Sequence, residues 1–120
     1  LAIGRKFLGR KYNNVDINYI EDDINFSEFE NHYTNIVINT SCEHMIPMNS
    51  FNFKNDKDVL YVLQSNDMFG VREHVNCVKD TDEFIKQSGL SKTYYHGKKR
   101  LIGQDKEKYW RFMIIGRRDD

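Results

Sequence analysis

The chain concentrates reactive side chains directly after one short apolar run. Residues 37–51 read VINTSCEHMIPMNSF, so a β-branched run ends in an Asn-Thr-Ser-Cys-Glu-His cluster. The imidazole of His44 could act as a general base near neutral pH, and the carboxylate of Glu43 precedes it. These two residues are the candidates for catalysis. The alternative is structural, because Thr40 and Glu43 have the spacing of a helix capping box, which needs no ligand.

A metal site is a second chemical hypothesis for the same segment. Cys42, His44, His74 and Cys77 would together supply the four sulfur and nitrogen ligands of a tetrahedral zinc site. However, neither Cys-x-His nor His-x-x-Cys is a standard paired-ligand spacing, and the chain contains no Cys-x-x-Cys. We therefore expect two free thiols and no bound metal, and a small metal-dependent enzyme remains the third interpretation.

The elements that would position these side chains are strands whose ends are polar. Clusters follow three apolar or alternating runs, at residues 22–23, 39–41 and 64–66. The continuous apolar runs 36–38 and 59–63 predict adjacent parallel strands at the centre of a sheet. In open α/β sheets ligands bind beyond the carboxyl ends of parallel strands, so the clusters are expected to converge on one rim. Polar strand-to-helix turns are also common without a ligand.

The remaining pattern predicts helices between the strands and an antiparallel finish. Residues 1–12 have helical spacing, residues 15–20 alternate as a strand, and residues 27–31 indicate a short helical turn. A helix is expected after Asp80, with Glu83 at capping-box spacing and Gly89 as its stop. Two strands near residues 93–95 and 109–115 predict an antiparallel pair. The order indicates an α/β fold.

Bulk composition limits the function classes. The chain has 120 residues, enough for one domain, and its 18 basic and 18 acidic residues balance. This balance, and the shortness of the basic group at residues 98–100, argue against nucleic acid or an anionic membrane as partner. No apolar run approaches the roughly 20 residues of a membrane helix, and two cysteines make no disulfide framework. A reducing cytoplasm is the expected location.

The order of five segments resembles the C-terminal part of class I S-adenosylmethionine-dependent methyltransferases, most closely small ones of phage and bacterial genomes. The segments are INYIEDDI, NIVINTSCEHM, VLYVLQSNDMF, EHVNCVKDTDEF and YWRFMIIG, and the similarity runs over residues 3–116. It implies a Rossmann-like, mostly parallel sheet with a C-terminal antiparallel hairpin. The family's glycine-rich loop and ribose-binding carboxylate have no counterpart. The resemblance therefore implies that residues 1–120 are the C-terminal portion of one such domain, lacking its first strands.

The resemblance assigns roles by position. Asp23 and Ile24 would face the adenine of S-adenosylmethionine, and Asn39 and Thr40 its methionine part. The substrate-side residues would be Ser41, Ser65 and Asn66, with Glu43 and His44 as the catalytic pair. The implied activity is methyl transfer to a small-molecule or protein substrate, since the loop NTSC lacks the N/D-P-P-Y/F signature of amino-group DNA methyltransferases. The alternative is a non-catalytic or degenerate module that completes a partner chain.

Overall fold

A computed structural model describes residues 33–118 of the chain. The predictions for residues 1–32, including the first helix, the alternating strand and the roles of Asp23 and Ile24, lie outside the described residues. Five regular elements follow one another: β1 (Ile36–Asn39), β2 (Leu60–Asn66), α1 (Thr81–Ser88), β3 (Lys92–Ile102) and β4 (Lys108–Arg117). Three short 3-10 helices, Cys42–His44, Met48–Ser50 and Asp56–Asp58, lie between β1 and β2.

The described strands form one mixed sheet in the order β1-β2-β4-β3. β1 and β2 are parallel, with Ile36 opposite Leu60, which confirms the predicted adjacent parallel pair. β4 runs antiparallel to both β2 and β3, and the predicted pairing of the last two strands is confirmed. The predicted fold class is nevertheless wrong. Within residues 33–118 only one of the three pairings is parallel and there is a single α-helix, so this is not a Rossmann-like, mostly parallel α/β sheet.

The connection from β1 to β2 explains much of this difference. A crossover helix was expected there, but residues 40–58 are rich in Asn, Asp and Ser and contain Pro47. Such side chains bond to nearby backbone groups and compete with an α-helix. Asp56 does so through its carboxylate, which accepts from the Phe53 N–H at 3.3 Å. The segment therefore forms separate 3-10 turns.

The predicted central position of β1 is also wrong for the described sheet. β1 is its edge strand, and the side chains of Ile36 and Ile38 are 55% and 70% exposed. β2 is the inner strand of the pair, with Tyr61 and Leu63 fully buried. A β-branched run does not by itself distinguish a central strand from an edge strand.

The hydrophobic core lies on the face of the sheet that α1 covers. Tyr61, Leu63, Phe112 and Ile114 of the sheet pack there with Phe84 of the helix. α1 begins and ends as predicted: the Asp80 carboxylate accepts from the Glu83 N–H at 2.8 Å, and Gly89 has a left-handed φ of 78°. None of the described helices has the length and apolar character needed to cross a bilayer.

Candidate functional site

The carboxyl ends of β1 and β2 lie together, as the strand-end argument expected. The chain leaves β1 at Asn39, whose side-chain oxygen accepts from the Ser41 N–H at 2.9 Å, and enters the Cys42–His44 turn. This turn meets the end of β2, where the Asn66 amide donates to Glu43 Oε1 at 3.2 Å. The structure therefore brings together the predicted residues of both strand ends: Asn39, Thr40, Ser41, Glu43, His44, Ser65 and Asn66.

Burial divides this group into two sets. Thr40, Ser41 and His44 are exposed, and Asn39 is half-buried. Ser65 and Asn66 are 0% and 4% exposed, because β2 continues through them instead of ending at Leu63. The substrate contacts of Ser65 and Asn66 stay a prediction, and in the described structure neither side chain presents a surface to solvent. Asn66 instead orients Glu43.

Glu43 is a buried carboxylate with one satisfied oxygen. Its Oε1 accepts from Arg111 Nη1 at 2.8 Å as well as from Asn66, while its Oε2 has no hydrogen-bond partner within the described part of the chain. Arg111 also donates to the Thr40 carbonyl and to the side chain of Gln64. The proposed capping box is therefore wrong, because Glu43 turns into the protein and Ser41 precedes the turn without a side-chain cap. Arg111 is not among the residues predicted from the sequence, where its one signal is a cation within the apolar strand YWRFMII.

Two imidazoles stand beside this carboxylate. The rings of His44 and His74 have centroids 4.6 Å apart and planes at 86°. His44 Nδ1 lies 3.1 Å from the Glu73 carbonyl oxygen, and His74 Nδ1 lies 3.0 Å from that of Met68. A carbonyl oxygen only accepts, so each Nδ1 is the donor of its hydrogen bond, and the tautomer with this arrangement has a lone pair on Nε2.

A backbone hydrogen bond joins the two segments that carry these rings. The Asn76 N–H donates to the Glu43 carbonyl at 3.0 Å, so the loop after β2 is tied to the turn after β1. The Val78 N–H also donates to the Asn66 carbonyl at 3.1 Å. The loop that holds His74 is therefore fixed at both the turn and the strand end, and the approach of the two imidazoles follows from this backbone pairing.

Glu43, His44 and His74 each offer a ligand atom, and the three atoms lie within 4.8 Å of one another. Ligand atoms of a tetrahedral zinc site are about 3.3 Å apart, given Zn–N distances near 2.05 Å. Binding would therefore require these separations to contract by up to about 1.5 Å. The side chain of His44 is 44% exposed and has room for that movement.

This cluster differs from the four-residue set that the sequence suggested. Cys42 and Cys77 are free and buried, and neither belongs to it. Burial raises the pKa of the Cys42 thiol to about 12 and that of Cys77 to about 11, with the Glu43 carboxylate acting in the same direction. A thiolate at either position is therefore disfavoured near neutral pH, for catalysis as well as for metal ligation.

Comparisons with known proteins find no match for this chain among family models, curated proteins or solved structures.

Proposed function

We propose that the protein binds one divalent transition-metal ion through Glu43, His44 and His74 and that its activity depends on this ion. The observation that carries the proposal is which atoms of the three side chains are already hydrogen-bonded and which are left for an ion. Both imidazoles have Nδ1 held by a backbone carbonyl, which leaves Nε2 for a metal. His44 Nε2 lies 3.9 Å from Glu43 Oε1, and Oε2 of the same buried carboxylate has no hydrogen-bond partner among residues 33–118. Metal-ligating histidines nearly always show this second hydrogen bond. Two histidines and one carboxylate are a ligand set of both Zn²⁺ and Fe²⁺ sites, and Zn²⁺ is the ion that we propose.

The environment of the ligands suits a reactive centre. Three protein ligands leave a fourth position, and the exposure of His44 lets water reach it. A zinc ion held by Glu43, His44 and His74 would lower the pKa of bound water to about 7 and would supply hydroxide for hydrolysis. The protein's part is orientation: Arg111 and Asn66 hold one carboxylate oxygen and leave the other free.

Calorimetry with Zn²⁺ and visible spectroscopy with Co²⁺ test the metal site on chelator-treated protein. We expect one equivalent of Zn²⁺ to bind, and Co²⁺ to give a four-coordinate spectrum without the strong near-ultraviolet band of cobalt–thiolate ligation. His44→Ala and His74→Ala should each weaken binding at least about tenfold, since even supporting residues of metal sites change affinity 10–100-fold. His96→Ala is the matched control, because His96 is exposed on β3 and outside the cluster.

Three results would contradict the metal proposal. The first is that Zn²⁺ does not bind, and the second is an equal loss of Zn²⁺ affinity in all three histidine variants. The third is a cobalt spectrum with the thiolate band, which would place the ion on Cys42 or Cys77. Circular dichroism of each variant shows whether it is folded.

Methyl transfer from S-adenosylmethionine is the second candidate function. The parallel pairing of β1 with β2 favours it, because ligands of open sheets bind beyond such strand ends and residues 39–41 leave that end towards solvent. The acceptor would be a small molecule or a protein, with His44 as base. If the chain instead completes a partner chain, that partner holds the cofactor.

Two free, buried thiols suit the reducing cytoplasm proposed as its location.

Ligand-observed NMR at millimolar S-adenosylmethionine tests this candidate. Binding should be detectable but weak, because the chain has no counterpart of the glycine-rich loop, and Asn39→Ala should abolish the saturation transfer. Asn49→Ala is the control, since Asn49 is an exposed residue of the same connection outside the strand ends. If the wild-type protein shows no saturation transfer, the chain does not hold this cofactor by itself.

A further inference from the structure

The β3–β4 hairpin carries a local excess of positive charge that the whole-chain balance conceals. Residues 92–117 contain eight Lys and Arg residues against two Asp and Glu residues, although the full chain has 18 of each kind. β3 is an edge strand of the described sheet, and Lys98, Lys99 and Arg100 are all exposed on it. Among residues 33–118 none of these three forms an ion pair, so their charges are turned to solvent without a neutralising carboxylate.

Trp110 holds two of these cations in place. Lys98 Nζ lies 4.6 Å from the centroid of its ring, and the guanidinium carbon of Arg100 lies 5.0 Å from it. Arg100 is directly opposite Trp110 in the β3–β4 register, and Lys98 lies two residues along on the same face of the strand. A cation–π contact positions a side chain but leaves its charge in place. The two positive groups are therefore preorganised and still free to bind an anion.

Exposed aromatic rings accompany the cations. A bulge between Thr93 and Tyr95 leaves Tyr94 without a partner on β4, and bulges at sheet edges re-aim side chains. Tyr94 and Tyr95 are 53% and 50% exposed, and the Tyr95 ring lies across Gly97, where any Cβ would collide with it. Lysines on an edge strand can serve only to prevent edge-to-edge pairing. That role does not account for two exposed tyrosines.

We propose that this basic edge, formed by Tyr94, Tyr95, Lys98, Lys99, Arg100 and Trp110, binds single-stranded nucleic acid. Proteins that bind unpaired strands combine cations for the phosphates with aromatic rings on which bases stack, and both are present here along one strand. The positive charges of the basic edge favour a polyanion as the ligand. Its exposed aromatic rings favour a polyanion whose bases are unpaired and can stack on them. The proposal is independent of the metal site. It replaces the expectation from overall charge that nucleic acid is not a partner.

The single tryptophan of the chain makes the test direct. The protein is titrated with a short single-stranded oligonucleotide while Trp110 fluorescence and the anisotropy of a labelled strand are followed. We expect saturable binding with a change in Trp110 emission, since the cations on its ring would engage phosphates. The logarithm of the affinity should fall with the logarithm of salt concentration with a slope of about −0.7 per phosphate contact, so about −2 for three contacts.

Two variants and a matched control separate charge from stacking. Lys99→Glu should weaken oligonucleotide binding about tenfold or more and make the salt slope shallower, whereas Lys86→Glu makes the same charge change on the exposed side of α1 and should have little effect. Tyr95→Ala should weaken oligonucleotide binding about tenfold through lost stacking. It should leave the weaker binding of inorganic polyphosphate unchanged.

Three results would overturn the proposal. They are no saturable binding at low salt, equal binding of polyphosphate and oligonucleotide with no effect of Tyr95→Ala, and a loss in Lys86→Glu as large as in Lys99→Glu. Tighter binding of duplex than of single strands would likewise exclude base stacking on these rings.

Discussion

At the scale of single residues, Glu43 decides what the site can do. Its carboxylate is buried, and Arg111 and Asn66 satisfy only one of its oxygens. An unsatisfied buried polar atom costs about 1–3 kcal/mol, and more when it belongs to a charged group. A cation bound to Oε2 would remove that cost. His44 and His74 each have a possible ligand atom within 4.8 Å of a Glu43 carboxylate oxygen. Because Glu43 is 4% exposed, its proposed role is that of a metal ligand, and its role as part of a catalytic pair stays a prediction.

The two buried thiols predict a loss of stability in alkali. The pKa of the Cys42 thiol is raised from its usual value near 9 to about 12, and that of Cys77 to about 11. A group whose pKa is higher in the folded state stabilises the fold fully below its unfolded pKa and loses this contribution as pH rises through the folded pKa. Between pH 9 and 11, the free energy of unfolding should therefore fall by up to about 1.4 kcal/mol per pH unit for each thiol.

Urea denaturation at a series of pH values measures this alkaline slope. Cys42→Ala should flatten it, although its stability at pH 7 is lower because a small cavity forms. Tyr61 contributes in the same direction at higher pH, because burial and its hydrogen bond to Asp56 raise its pKa. A free energy of unfolding that does not change between pH 7 and 11 would show that the thiols are solvated.

At the scale of elements, the two connections around β2 show how local chemistry selects structure. α1 forms because Asp80 caps its first turn and Gly89 takes the left-handed conformation that ends it, and Phe84 turns into the core. The connection before β2 forms three 3-10 helices instead of one α-helix. The first of these turns places Glu43 close to the end of β1, where its carboxylate accepts from the Asn66 amide.

At the scale of the whole molecule, Arg118 joins segments that are distant in sequence. Its side chain is buried beneath the sheet, and its guanidinium carbon lies 4.3 Å from the centroid of the Tyr61 ring. On the β1–β2 connection it donates to the carbonyls of Met48 and Phe51 and to the Asp56 carboxylate. It also donates to the Tyr61 hydroxyl on β2 and to the Ser88 carbonyl at the end of α1. One side chain thus holds the segment after β1 against the helix.

We expect Arg118→Met to lower the free energy of unfolding by about 3 kcal/mol or more, because it leaves buried carbonyls and the Asp56 carboxylate without donors. Arg118→Lys should recover little, since one ammonium cannot reproduce the planar fork of donors. Arg117→Met is the matched control. Arg117 donates to the Asp58 carbonyl at 2.6 Å on the exposed side, and its loss should cost about 1 kcal/mol. Chemical denaturation measures the free energy of unfolding of each variant. An equal decrease in the Arg118→Met and Arg117→Met variants would contradict this role for Arg118.

The sequence by itself determined the features that neighbouring residues encode. The bounds of α1 follow from Asp80, Glu83 and Gly89, and the apolar runs before residues 39 and 64 predicted the strands and their parallel pairing. The collection of polar side chains at the ends of those strands was also predictable. Each of these depends on interactions within a few residues or on one strand pair, so the local pattern contains the needed information.

Only the tertiary structure decided the chemistry of the site. β4 lies between β2 and β3 and pairs Arg111 with Asn66, which brings a cation onto Glu43 from 68 residues away. The loop after β2 returns to place His74 beside His44, and the two cysteines that sequence spacing suggested as ligands are buried apart from them. Strand order and register are set by burial and hydrogen bonding summed over the whole sheet. These sums cannot be derived from the spacing of neighbouring residues. The proposed ligand set of Glu43, His44 and His74 and the basic edge are therefore formed only in the folded chain.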